Sequence, residues 1–311
     1  MRRLILVKMT MGLTARQSGT LEMTAAMVLS GFIGFLVVES GQSVWNVIFF
    51  RCLFGAISLG LYCWWRGFLS PWPLKGKAVL TAILAASALV LNWVLLFNAF
   101  NYASISLSTV VYNTQPFFLL LAGSLFFGEK IALGKLPWFI SAFIGLLFII
   151  EISGSDFAGD QQLLGFAMAL GAAILYAVNT LLTRRLVEIR PEVIALVNTF
   201  IGCILLLPAA NFAMLPVNAL SWSYLLILGV VHSCLMYILM YSAYKKLPIS
   251  MIAILAFLYP AVAILVDFVV YDQSLTGYQW LGIIVILLSV AGLNLGWGLH
   301  SIGFKKSPKI S

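Results

Sequence analysis

The sequence predicts an all-α membrane protein with ten transmembrane helices arranged as two inverted five-helix repeats. Three observations carry this reading: the composition, the sidedness of the basic residues, and an internal echo. Hydrophobic residues make up 62% of the 311 and charged residues only 9%, with a mean hydropathy of +1.06. A soluble domain is about half apolar and about a quarter charged. No aqueous fold has enough interior to hide this much apolar surface.

Residues 1–19 (MRRLILVKMTMGLTARQSG) are basic, but their apolar run is too short and too interrupted for a secretory signal. They read as a retained cytoplasmic tail. Windows of about 20 apolar residues then place spans near 20–39, 44–65, 78–98, 103–127, 134–152, 162–183, 192–212, 220–243, 248–270 and 277–298. Turn formers separate them, such as SGQS at 40–43, SPWPLKGK at 70–77 and LPVN at 215–218. A short basic tail follows at 299–311.

With the N-terminus inside, the inner segments collect Arg2, Arg3, Lys8 and Arg16, then Arg66, Lys75 and Lys77, then Lys130 and Lys135. Arg184, Arg185 and Arg190 follow, then Lys245 and Lys246, then Lys305, Lys306 and Lys309. Of the 18 basic residues only Arg51 is left, and it lies within the second span. The outer side carries Glu151, Asp156, Asp160 and Asp272 instead. One span missed or invented would move every later loop across the membrane and scramble this division. The chain is therefore read as multi-pass, with both termini cytoplasmic. The formal charge of +8 reflects orientation and contact with anionic lipid, not nucleic-acid binding. Cys52, Cys63, Cys203 and Cys234 stand singly in apolar segments, without metal or redox spacing.

The echo is a shift of 144 residues that carries Ala99, Phe100, Ile105, Ser106 and Pro116 onto Ala243, Tyr244, Ile249, Ser250 and Pro260. A shift of 147 carries Leu21, Ala25, Ala26 and Gly55 onto Met168, Ala172, Ala173 and Gly202. Two repeats follow, 20–152 and 162–298. Five crossings per repeat make the second enter from the opposite side, an arrangement that puts a site near the midplane between rocking halves.

Within this frame an arginine in span two (FFRCLFGA, Arg51) stands beside a fourth span that runs through Pro116 to a Gly128-Glu129 pair. The ninth span repeats the pattern with Pro260. On these motifs the chain resembles the EamA-type branch of the drug/metabolite transporter superfamily from about residue 20 to 298. Asp272-Gln273 stands where Gly-Glu is typical, and Asn113-Thr114-Gln115 is unusually polar ahead of the proline. The resemblance implies export or exchange of small metabolites such as amino acids or amines across a bacterial inner membrane.

Candidate site residues follow from spacing. If 98–118 is one helix, Tyr102, Ser106, Thr109, Asn113 and Pro116 share a face. Ser106, Thr109 and Asn113 then hydrogen-bond a solute or bridge helices, while Gln115 lies off the face. Pro116 and Pro260 break their helices, which membrane depth tolerates only against protein or water. Trp93, Phe97 and Phe100 align at the 144 shift with Tyr237, Tyr241 and Tyr244 as paired aromatic strips. These strips are either gates or packing. Asn92, Met236, Phe257, Tyr176 and Asn179 are further lining candidates. Arg51 either meets a solute carboxylate or pairs with Glu39, and the pair is favoured. His232 and Asp267 are the remaining candidates for proton or charge coupling.

The expected function is secondary transport of a small amphipathic metabolite by alternating access. A passive channel is the alternative, and an intramembrane lipid-modifying enzyme is a more distant one. No catalytic residue, metal site or cofactor is expected. The partners are a small-molecule substrate and the bilayer, with a homodimer compatible.

Overall fold

Hydrocarbon leaves the backbone no partner but itself, so a chain this apolar must cross as helix. The computed structural model describes residues 14–297 except 104, 130–132, 151–161 and 273, with side chains left out also at 105–107 and 133. Arg2, Arg3, Lys8, Lys305, Lys306 and Lys309 of the tails, Lys130, and the acidic Glu151, Asp156 and Asp160 lie outside the described residues. Helix is the only regular structure among those described, and it forms ten apolar elements. They are span 1 (Ala15–Glu39), span 2 (Val44–Trp65), span 3 (Lys77–Ala99), span 4 (Ile105–Phe127), span 5 (Leu136–Ile150) and span 6 (Gln162–Arg185). Span 7 (Pro191–Ala209), span 8 (Ala219–Lys246), span 9 (Ile249–Val270) and span 10 (Gly277–Leu295) complete the bundle. Thr14 and Thr276 open spans 1 and 10 with reciprocal Thr–Gln capping boxes.

The helix pairs obey the duplication. Exchanging span n for span n + 5 turns the packed pair 3–6 into 8–1, 4–6 into 9–1, and 2–8 into 7–3. The pairs 2–7 and 5–10 map onto themselves, so they straddle the pseudo-two-fold axis. Small residues make the axis passable. A Cβ on Gly55 would meet Thr199 Cγ2 at 3.1 Å, while one on Gly202 would meet Cys52 Sγ at 2.6 Å. Cys52 and Thr199 are themselves related by the 147 shift, so the same contact occurs twice. Gly145 and Gly282 bring spans 5 and 10 together backbone to backbone.

Four spans are interrupted, spans 4 and 9 at the prolines where the sequence predicts a break and spans 1 and 8 where it does not. Spans 4 and 9 each break just ahead of their proline, into Ile105–Tyr112 and Gln115–Phe127, and into Ile249–Leu255 and Leu258–Val270. The predicted stripe from Tyr102 to Pro116 is therefore not one helical face. Tyr102 lies in the turn after span 3, and Pro116 sits in the first turn of a new helix, where its missing N–H costs nothing. Span 1 is interrupted at Phe32, and span 8 widens into a π-helix over Leu228–Leu235. At the turns, Gly128 ends span 4 with φ +64°, and its repeat mate Asp272 ends span 9 with φ +50°. The aspartate thus adopts a left-handed conformation that glycine takes freely.

Spans 3 and 6 are tied by a reciprocal clamp. Asn92 Nδ2 donates to Ala172 O at 2.6 Å and Asn179 Nδ2 donates to Ala85 O at 2.8 Å. Removing one such bond by Asn179→Ala is expected to cost about 0.6–1.7 kcal/mol. Gly282→Ala, whose Cβ would lie 2.5 Å from Gly145 O, is expected to cost about 1–3 kcal/mol by overpacking. Gly60→Ala, with its nearest atom at 3.8 Å, is expected to cost nothing. Thermal unfolding of the purified protein in detergent checks all three.

Candidate functional site

Between the repeats lies a cavity of about 370 Å³. Its wall draws on spans 1, 2, 3, 4, 6, 8 and 9, so both halves build it. The helix breaks face it: Thr109, Tyr112 and Gln115 come from span 4, Ala256 and Tyr259 from span 9. The breaks hold themselves together locally. Thr114 Oγ1 donates to Val111 O at 2.6 Å, and Asn113 Nδ2 donates to Thr109 O at 2.8 Å and to Tyr259 Oη at 3.1 Å. Asn113 therefore joins the two breaks across the pseudo-axis and stands behind the cavity wall.

The cation of the site is Arg51, 8% exposed and part of the wall. Its Nε donates to Ser233 Oγ at 2.9 Å and its Nη2 to His232 O at 3.5 Å. Both acceptors sit in the π-helical segment, where Gly229 lets span 2 approach so closely that an added Cβ would lie 2.3 Å from Phe54 Cβ. The guanidinium carbon lies 5.2 Å from the Trp93 ring centroid and 5.7 Å from that of Tyr237, within cation–π range. The expected pair with Glu39 is not formed. Glu39 accepts a hydrogen bond from Tyr271 Oη at 3.0 Å instead, because span 1 breaks at Phe32 and its last helical turn ends against the tip of span 9.

Of the other sequence candidates, Trp93, Thr109, Tyr176 and Tyr237 line the cavity, as do Phe97, Phe100 and Met236. The amide nitrogens of Asn92 and Asn179 are taken by the clamp between spans 3 and 6, and neither residue lines the cavity. Tyr241 is buried and hydrogen-bonded to Asn198, and Phe257 is fully buried in the core. His232 is buried behind Arg51, with Nδ1 unpartnered among the described residues. Asp267 lies near the tip of span 9, away from the wall, and the side chain of Ser106 lies outside the described residues. Gln115, set aside on spacing, lines the cavity: the break before Pro116 re-aims it. It is 3% exposed, and its Oε1 has no hydrogen-bond partner among the described residues. The signal available was the polar Asn113-Thr114-Gln115 run itself.

Repeat mates occupy unlike surroundings. Phe97 and Phe100 stand half-buried in the cavity wall, whereas Tyr241 and Tyr244 are each 1% exposed. Every described side chain of Ile249–Leu255 is buried, while its mate Ile105–Tyr112 is largely half-buried where described. The sealed side is stapled. The Glu129 carboxylate accepts from Ile249 N at 3.0 and 3.2 Å and pairs with Arg184 at 2.7 Å. Lys135 Nζ donates to Ser250 Oγ at 3.0 Å, Lys246 pairs with Glu22, and the Tyr176 and Tyr244 hydroxyls meet at 3.3 Å.

Two segments of the chain, 17–151 and 163–295, match the EamA-like transporter family. The chain belongs to the EamA-like transporter family, within the drug/metabolite transporter superfamily. A Bacillus subtilis uncharacterized transporter, YxxF, is 31% identical over 89% of each chain. A probable amino-acid metabolite efflux pump of Escherichia coli is 26% identical over 64% of this chain and 72% of that one. The threonine/homoserine exporter RhtA of Salmonella typhimurium is 31% identical over 51% of this chain and 54% of its own. A solved crystal structure superimposes with a TM-score of 0.78 at 16% identity, covering 90% of this chain and 97% of that one; this likeness speaks to the fold. The protein is accordingly a multi-pass membrane transporter and not an enzyme.

In the EamA-like transporter the Glu129 staple should hold the sealed face shut. Glu129→Gln removes the ion pair and weakens the cap on Ile249. In a background with Cys52, Cys63, Cys203 and Cys234 replaced by serine, Ser250→Cys is expected to label several-fold faster with a soluble maleimide once Glu129→Gln is added. An unchanged rate would show that the staple does not close this face.

Proposed function

We propose that this transporter exports a small amphipathic metabolite from a bacterial cytoplasm by alternating access, with the basic loops and both termini on the cytoplasmic side. The observation that carries the reading is the unlike burial of repeat mates around one central cavity. Two halves of the same design cannot both be open on the same side without exchanging roles. The conformation in hand has the Phe97–Phe100 strip accessible and the Tyr241–Tyr244 strip sealed. Rocking the halves so that the strips trade environments would expose the same cavity to the other compartment. With the basic loops taken as cytoplasmic, the sealed face is the inner one and this state faces outward.

Export as the direction rests on relatives named as an amino-acid metabolite efflux pump and a threonine/homoserine exporter. A cavity of about 370 Å³ has room for a solute of amino-acid size. The aromatic wall would cover its apolar part. A passive channel would require a path through the stapled layer, where the Glu129–Arg184 pair and the tyrosine hydroxyls close the space.

The test is counterflow. Proteoliposomes preloaded with an unlabelled amino acid are expected to take up the labelled one transiently above equilibrium, with saturation and trans-stimulation. Flux that rises linearly with concentration and ignores the trans side would replace the carrier reading with a channel.

A further inference from the structure

We infer that the cavity selects solutes bearing a carboxylate, with Arg51 as the group that reads it and Gln115 as the acceptor for a neighbouring donor on the solute. This rests on the transport reading and narrows it, separating acids and zwitterions from simple amines.

The inference starts from charge. Arg51 is the one ionisable cation in the cavity wall, and no Asp or Glu contributes to that wall among the described residues. Its ion pair is missing too: Arg51 takes part in no salt bridge with a described residue. A guanidinium buried in a bilayer without a carboxylate is strongly unfavourable, and two ring faces at 5.2 and 5.7 Å offset only part of that. The remaining hydrogen-bonding capacity points the same way. Nε and Nη2 are occupied by Ser233 and His232 O, whereas Nη1 has no hydrogen-bond partner among the described residues. The bonds to span 8 fix the plane of the fork and leave one edge for an acceptor from the cavity. An anionic oxygen suits such an edge better than any neutral group.

Gln115 supplies the complement. It is enclosed, on the cavity wall, and its Oε1 is unsatisfied among the described residues. A buried amide carbonyl left unpaired is unfavourable, so it favours a solute that donates there, through an ammonium or a hydroxyl. The repeat does not duplicate this pair of groups. The mate of Arg51 at the 147 shift is Asn198, which is bonded to Tyr241 within the sealed region. The mate of Gln115 at the 144 shift is Tyr259. The cation and the unpaired amide oxygen of the wall therefore both come from the first repeat. The site can hold an asymmetric solute in one orientation, carboxylate toward span 2 and donor toward span 4.

The experiment uses the full-length protein in detergent and a ligand-stabilisation screen in matched pairs. Each proteinogenic amino acid is compared with the amine left by its decarboxylation. In the wild type, at least one acid is expected to raise the melting temperature, with its decarboxylated partner binding about 30-fold more weakly or worse. Arg51→Gln should erase the difference between the partners. Arg51→Lys, which keeps the charge but loses the fork, should retain the preference at reduced affinity. Amines binding as well as their acids, or no acid binding at all, would overturn the inference from the wild type alone, whatever the folding of the variants. Counterflow separates this failure from failure of transport. A carboxylate that binds through Arg51 without any counterflow would sink the carrier reading and leave the site standing. Saturable counterflow of an amine, indifferent to Arg51→Gln, would do the reverse.

Discussion

A helix interrupted inside a bilayer must find new partners for every backbone group it frees, and the rest of this structure depends on where those partners are. Spans 4 and 9 are both broken at equivalent positions, just ahead of a proline that sits in the first turn of the second half-helix. At the first break Thr114 Oγ1 donates to Val111 O and Asn113 Nδ2 to Thr109 O, and the Asn113 amide reaches the second break through Tyr259 Oη. Such breaks survive only where protein or a cavity replaces lipid. The two breaks therefore oblige the other spans to wrap around the middle of the bundle. The glycine contacts of spans 2 and 7, and of spans 5 and 10, close that wrap.

The second constraint is a buried charge. Arg51 sits where the π-helical turn of span 8 presents Ser233 Oγ and His232 O to it, so the cation links one repeat to the other across the cavity. Duplication alone would have produced two such residues. The counterpart position holds neutral Asn198, and the two halves consequently share a fold without sharing a chemistry. The same division appears at the faces. Glu129 caps the half-helix starting at Ile249 and binds Arg184 on the sealed side, and it has no described equivalent on the open side.

Much of the architecture was legible because its signals are collective. Basic residues sorted by side, and matches at shifts of 144 and 147, survive errors of several residues at any boundary. The aromatic strips were visible for the same reason. Individual side chains were harder. Asn113 looked like a ligand because steps of three and four place it with Thr109, yet the helix ends there and its amide joins the breaks instead. Gln115 was set aside by the same arithmetic, which assumes one unbroken helix. Asn92 and Asn179 carry polarity that a sequence cannot assign to a solute or to a neighbouring carbonyl. The Arg51–Glu39 pair failed because the break at Phe32 and the hydroxyl of Tyr271 are tertiary facts.

The central claim is that the two aromatic strips trade exposure, never sharing it. Phe97→Cys and Tyr241→Cys, each in a background lacking native cysteines, can be labelled with an impermeant maleimide from either side of oriented vesicles. In the state described here, Phe97→Cys should react from the face of the 40–43 loop while Tyr241→Cys is protected. Conditions that favour the opposite state should slow the first and accelerate the second from the basic face, in inverse proportion. Simultaneous reactivity of both positions, or rates that vary independently, would contradict it.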